Sequence, residues 1–350
     1  MFTWLSSVFT PSLEGDVQEV VTRFVAKTTG QRGPLIALIP AQHNTQALAH
    51  ICVTPCSVFV FFWDQTAASG KRMSLQGDAF TCACAVGRQT QGTVILAGTQ
   101  NGQVIRISLD DNFTFVSRVV TISDSPVIAI AVSEDATKCA AGFGNGVVVF
   151  WSTSEQDELD KRKYLRDPSK QAAVVSLVFV QSAGTLWTGY SDGSVVVFSL
   201  EEGGNFQTIP NICVGIPAVM KWHKKLDVVL ISDSHKELVV VSVSDHSVPH
   251  RYDAGLVTCG SPLTCMEILK DRNELVCLGA DDGSFCIREL SKSDKDPQRL
   301  KFHLLKMWEV AASDAGPVTC VAVDVVANAL VVGDAGCRVR SVNIQGRSSF

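Results

Sequence analysis

The sequence is poor in the signatures on which most catalysis and most membrane insertion depend. No uninterrupted apolar run reaches the roughly 18–20 residues of a membrane helix, and the longest candidate, Ile51–Trp63, is broken by Pro55. No Lys or Arg precedes Arg23, so the head of the chain has neither the basic start of a signal peptide nor the Arg-rich character of a mitochondrial presequence. There is no His-Glu-x-x-His, no Gly-Lys-Ser/Thr after a glycine-rich loop and no Gly-x-Ser-x-Gly, which argues against a zinc protease, a phosphate-loop enzyme and a serine hydrolase. His246 and His250 have three residues between them, but Pro249 among these rules out the helical face such a metal pair uses. The 12 cysteines form no Cys-x2-Cys pair and sit mostly inside apolar runs such as Thr81–Ala85, where thiols act as small hydrophobes. Cys52 and Cys56 have a zinc-like spacing with no second pair near them. Neither metal nor cofactor is expected. Unpaired thiols suit a reducing compartment, so the location expected is the cytoplasm, with the nucleus as the alternative.

Charge is scarce as well. Charged residues make up 19% against 46% hydrophobic, and the net charge is −5. An acidic balance disfavours a general nucleic-acid binder, and so high an apolar share suits strands buried on both faces.

What the chain does contain is a repeat. Leu186–Leu200 reads as strand, tight turn, strand: an apolar run, then Ser191-Asp192-Gly193, then the β-branched run Val195–Phe198. Similar hairpins stand at Gly98–Gly102, Gly142–Gly146 and Gly279–Gly283, with a variant at Gly333–Gly336. Apolar strands open near Pro34, Phe80, Pro126, Ala173, Pro217, Pro262 and Pro317. Spacings of about 40–50 residues, with several strands per unit, are those of β-propeller blades. The pattern predicts an all-β, seven-bladed propeller of four-stranded antiparallel blades, occupying 16–350.

The expected first strands are Leu35–Ile39, Thr81–Val86, Val127–Val132, Val174–Val180, Ala218–Trp222, Leu263–Ile268 and Val318–Val323. More polar fourth strands follow, among them Tyr164–Arg166, Phe206–Pro210 and His303–Glu309, as expected of half-wet edges. The last unit lacks a fourth strand, and the spare apolar run Val17–Ala26 is predicted to complete it and close the ring. Two charged connections, Ser152–Lys163 and Ser291–Lys301, exceed the repeat and read as surface inserts. Residues 1–15 form a separate apolar peptide in which helical spacing puts Leu5, Val8 and Phe9 on one face, suited to docking on the propeller or on a partner.

The Phe62-Trp63-Asp64 ending, the degenerate Phe150-Trp151-Ser152 and Phe198-Ser199-Leu200, and the Gly-x-x-Asp/Asn-Gly turns resemble the WD-repeat β-propeller family over nearly the whole chain. The departures are the absence of any Gly-His at the head of a unit and the loss of the turn glycine at Ser232–Glu237. The resemblance implies a non-catalytic scaffold for protein–protein interactions, a subunit of a larger assembly. It further implies that the residue after the first turn glycine faces a partner surface near the central channel: here Thr99, Phe143, Tyr190, Asp233, Ala280 and Asp334, with Phe143 and Tyr190 as aromatic anchors. The alternative is a charged ligand, a phosphoinositide or RNA, held by the basic clusters Lys161-Arg162-Lys163 and Lys221, Lys224 and Lys225. The Phe/Leu-Arg-Arg-Gly signature of phosphoinositide-binding propellers is missing.

Overall fold

The structure, a computed structural model, describes residues 21–24, 37–41, 48–55, 57–63, 70–74, 79–87, 93–109, 115–153, 162–201, 205–209, 212–248, 250–253, 261–269, 275–292, 300–308, 316–324, 329–336 and 339–343. The expected peptide of residues 1–15 lies outside them, as do the central parts of both inserts.

Strand β1 is Val21–Phe24. The first blade comprises β2 (Ala37–Ala41), β3 (Leu48–Thr54), β4 (Ser57–Trp63) and β5 (Gly70–Ser74). The second comprises β6 (Phe80–Gly87), β7 (Thr93–Thr99), β8 (Gln103–Leu109) and β9 (Phe115–Thr121). The third has β10 (Val127–Val132), β11 (Lys138–Phe143), β12 (Val148–Ser152) and β13 (Lys163–Leu165). The fourth has β14 (Val174–Val180), β15 (Thr185–Tyr190), β16 (Val195–Ser199) and β17 (Phe206–Ile209). The fifth has β18 (Pro217–His223), β19 (Val228–Asp233), β20 (Glu237–Ser242) and β21 (His250–Asp253). The sixth has β22 (Leu263–Ile268), β23 (Leu275–Ala280), β24 (Phe285–Lys292) and β25 (Leu300–Trp308). The seventh has β26 (Val318–Asp324), β27 (Ala329–Asp334) and β28 (Val339–Asn343), with β1 as its outer strand.

Each described sheet has four antiparallel strands; six follow chain order as meanders, and the seventh takes β1 from the head of the chain. The innermost strands neighbour one another around a closed circle, with β2 between β26 and β6. In the seventh blade Val21 faces Val342 and Phe24 faces Val339, so the head of the chain covers the edge its tail would otherwise expose.

Apolar residues on both faces of the middle strands have a direct cause. Each blade stacks on two neighbours, and each junction is filled by one cluster of buried side chains, from Ile51 with Ile95 between the first two blades to Cys52 with Val331 between the seventh and the first. Strand β19 is accordingly buried at every position, whereas the outer strand β17 is exposed at three of four.

A recurring interlock sets the distance between blades. A Cβ on Gly142 would stand 2.2 Å from Val174 Cγ1 of the next blade, and one on Gly98 would stand 2.5 Å from Val127 Cγ1. Hydroxyls add a second link. Thr81 Oγ1 donates to the Val127 carbonyl, Thr264 Oγ1 to the Val318 carbonyl and Ser176 Oγ to the Pro217 carbonyl, each crossing to the first strand of the following blade. Thr81 and Thr264 reach that far because the ladder shifts register beside them, between Phe80 and Cys82 and between Leu263 and Cys265.

Two expected bounds need correction. The described inner strand of the first blade, Ala37–Ala41, contains the end of the expected Leu35–Ile39 and runs two residues past it; 35 and 36 lie outside the described residues. The second insert is shorter than the sequence implies, because Ser291 and Lys292 extend β24 and pair with Lys301 and Leu300. An outer hairpin is solvated on one face, so polar residues prolong its ladder at little cost.

Replacing Gly142 by Ala is expected to destabilise the protein by about 1–3 kcal/mol, since the added methyl overlaps Val174. Gly184 has nothing within 4 Å of its would-be Cβ, although its φ is +61°, so Gly184→Ala should cost less. Thermal unfolding of the two variants side by side checks the difference.

Candidate functional site

Second-to-third-strand turns and the lead-ins to the first strands share one face of the ring. Backbone bonds tie them together: Gly144 N donates to Pro126 O at 2.9 Å, Ser191 N to Ala173 O at 2.8 Å, and Asp281 N to Pro262 O at 3.0 Å. This turn face is where the sequence places its candidate residues.

All six, Thr99, Phe143, Tyr190, Asp233, Ala280 and Asp334, are buried. The expectation that Phe143 and Tyr190 stand out as aromatic anchors is therefore corrected. Phe143 packs with Leu96 and Trp151 between the second and third blades. Tyr190 packs with Leu165 and Phe198 between the third and fourth, and burial pushes its phenol pKa up. The polar members support the turns from beneath. Thr99 Oγ1 accepts from Gln103 N at 3.2 Å. Asp334 accepts from Gly336 N at 2.8 Å and from Arg340 Nη2 at 3.1 Å.

Asp233 also explains how the fifth turn dispenses with glycine. Its Oδ1 accepts from His235 N and Glu237 N, both at 2.9 Å, and its Oδ2 accepts from Gly215 N at 3.1 Å. That bracing holds Lys236 at φ 72°, near the 74° of Gly102 and the 85° of Gly193 and Gly283, a left-handed conformation that costs an L-residue roughly 1–2 kcal/mol.

The rim above these buried residues carries what sequence reasoning missed. In the lead-in to the fifth blade Val214 is 71% exposed and Ile216 is 39% exposed. Ile216 N donates to Ser234 Oγ and Ser234 N donates to Ile216 O, both at 3.0 Å, which fixes this apolar pair beside the fifth turn. The available signal was the run Val214-Gly215-Ile216 ahead of Pro217, apolar residues in a stretch too short to be a strand.

The basic clusters do not combine. Lys221 Nζ lies 2.6 Å from Glu267 Oε2 of the next blade, the two side chains 36% and 29% exposed. Burial works to lower the Lys221 pKa, but Glu267 outweighs it and holds it above its ordinary value. Lys224 Nζ reaches Glu134 Oε1 at 3.1 Å, Arg162 Nη1 donates to Thr121 O at 3.4 Å, and Lys163 and Lys225 are exposed. Lys161 lies outside the described residues.

No group of three or more His, Cys, Asp or Glu among the described residues is arranged to hold a metal. Burial pushes the thiols of Cys82 and Cys265 up to about 12 and raises those of Cys84 and Cys277 as well. No helix among the described residues is long and apolar enough to cross a membrane.

The model of the Vps8 beta-propeller family matches residues 79–214. Among solved structures, a chain of the mitotic checkpoint complex aligns with 98% of this chain and 100% of its own at 12% identity and a TM-score of 0.69. Sqt1 from Chaetomium thermophilum aligns with 91% of this chain and 97% of its own at 12% identity and a TM-score of 0.68. The fold is that of a WD-repeat β-propeller. No curated protein matches the sequence.

Within this propeller the turns are braced by carboxylates. Asp167 is buried in the lead-in to the fourth blade. Its burial would raise the pKa, but hydrogen bonds from the Ser169 hydroxyl and amide and from Thr208, with Lys170 nearby, hold it below the ordinary value. A depressed carboxylate contributes stability that is present above its unfolded pKa, near 3.9, and lost as pH falls through the folded value. Asp167→Asn should therefore lower stability at pH 7, and the gap to wild type should close below about pH 4 in urea titrations. At pH 8 a thiol with a pKa near 12 is ionised to roughly one part in ten thousand. Cys82 and Cys265 should then resist alkylation in the native state and react on unfolding, as read by mass mapping.

Proposed function

We propose that the chain is a non-catalytic scaffold that holds partner proteins as a subunit of a larger assembly, in the cytoplasm or the nucleus. One observation carries the reading: an exposed apolar pair, Val214 and Ile216, fixed on a turn face that Thr99, Asp233 and Asp334 brace from below. A surface held this firmly loses little entropy on binding. An apolar centre ringed by polar groups is the arrangement of a protein interface core and its rim. The mitotic checkpoint complex chain supports the assembly reading by likeness of fold. Buried free cysteines suit a reducing compartment. The six candidate residues keep a supporting part in this proposal, as the layer that fixes the turn face.

The test is affinity capture with the full chain, comparing wild type with Val214→Asp/Ile216→Asp. Both positions are exposed, so the thermal transition should move little. Stoichiometric partners captured by wild type and lost by the variant would support the turn face. Partners retained by the variant would reject this surface, and no partner with wild type would reject the scaffold.

A further inference from the structure

The fourth blade ends in a sheet edge unlike the others. Its outer strand β17 reads Phe206-Gln207-Thr208-Ile209 and carries no charged residue. Each of the other six outer strands holds at least one: Arg23 in β1, Lys71 in β5, Arg118 in β9, Lys163 in β13, Arg251 in β21 and Lys301 in β25. Charge on an edge keeps other strands from pairing with it. Strand β17 lacks that guard, and Phe206, Gln207 and Thr208 are all exposed, Phe206 at 44%.

Hydrogen-bond parity fixes which backbone groups of β17 face outward. Antiparallel pairs alternate between residues that exchange both bonds and residues that exchange none. On one side of β16, Leu200 N donates to Gly184 O at 3.0 Å and Tyr190 N to Ser194 O at 2.9 Å, so its even-numbered residues bond toward β15. On the other side Ser199 N donates to Asn205 O at 2.8 Å, which makes Val197 with Gln207 and Val195 with Ile209 the bonded pairs. Phe206 and Thr208, opposite Phe198 and Val196, therefore turn their N–H and C=O groups away from the sheet. Their side chains are engaged within the chain: the Phe206 ring lies 6.0 Å from that of Phe198, and Thr208 Oγ1 donates to Asp167 Oδ2 at 3.3 Å. No described residue takes up their outward backbone groups.

From this geometry we infer that β17 pairs antiparallel with β17 of a second copy of the chain, about a twofold axis at Gln207. Such an axis sets Phe206 opposite Thr208 of the second copy, and Thr208 opposite its Phe206. Both are bonded pairs, so all four outward groups are satisfied at once. No other register does so within this strand. Each Phe206 ring then lies beside a Thr208, an aromatic and β-branched pair of the kind that favours strand pairing. The two Gln207 side chains meet across the axis on the other face, where neutral amides can bond each other. A charged segment of another protein is the poorer fit, since β17 offers it no opposite charge. Contact of one patch with its own copy is the commonest way soluble chains form dimers. So short a strand gives a weak, reversible dimer rather than a permanent one. The surface lies on the outer wall, apart from the Val214 rim, and the inference does not depend on the scaffold reading.

The experiment is sedimentation equilibrium of the full chain over a series of concentrations. The mass of wild type should rise with concentration from that of the monomer toward twice that value. Gln207→Lys and Gln207→Glu each set like charges face to face and should weaken association severalfold, while an equimolar mixture of the two variants should restore it. Gln207 is exposed, so the thermal transitions should match that of wild type. If a variant does not fold, amide exchange of wild type decides: the Phe206 and Thr208 amides should exchange slowly at high concentration and fast in dilute solution. Wild type monomeric at every concentration, association undiminished in both charged variants, no recovery in their mixture, or exchange at Phe206 and Thr208 that ignores concentration would overturn the inference. None of these results bears on capture through the Val214 rim, so the scaffold reading stands or falls separately.

Discussion

The structure depends on face-to-face contact between successive blades. A single antiparallel blade has two apolar faces and cannot bury either alone, so each sheet is stable only between neighbours. The closest point of that contact is the second-strand glycine against the first residue of the next blade: Gly98 on Val127, Gly142 on Val174, Gly189 on Pro217, Gly279 on Val318. A side chain at any of these positions would hold two blades apart. The fifth blade replaces the glycine with Ser232, whose hydroxyl lies 3.5 Å from the Leu263 carbonyl of the sixth. The steric allowance becomes a polar link at the same place in the fold.

From this contact follow both the distribution of chemistry and its limits. Residues near the junctions are spent on packing, which is why Phe143 and Tyr190 are core and burial raises the thiol pKa of Cys82 and Cys265. Polar side chains at the turns are spent on the turns: Asp192 accepts from the Ser194 amide and hydroxyl, and Asp282 does the same with Ser284. What remains exposed includes the rim of the turn face and the outer strands, where Val214, Ile216 and Tyr164 stand. A ring that rigidly presents such surfaces is suited to holding other chains.

Much of this architecture could be read along the chain because its cues are local. Repeating turns with Asp or Asn before a glycine, apolar second strands and wetter outer strands are set by residues within one hairpin, and their spacing counts the blades. The inner strands β10, β14 and β22 coincide with the sequence expectation for this reason. The far end of a strand was less legible where the cue was weak, as in the first blade, whose turn Thr54-Pro55-Cys56-Ser57 has no glycine and whose inner strand continues to Ala41.

The sequence by itself determined the all-β class, the propeller repeat and the apolar run from which β1 comes, because periodicity and turn chemistry act over a few residues. Only the tertiary structure decided which way the residue after each turn glycine points and which charges meet. Phe143 and Tyr190 are adjacent to surface turns in the chain yet lie in the space between blades, a space that exists only once the neighbouring sheet is in place. Lys221 finds Glu267 46 positions away on the next inner strand. Side-chain direction at a junction depends on the partner sheet, and that information is spread over residues too far apart in the chain for local pattern to reveal.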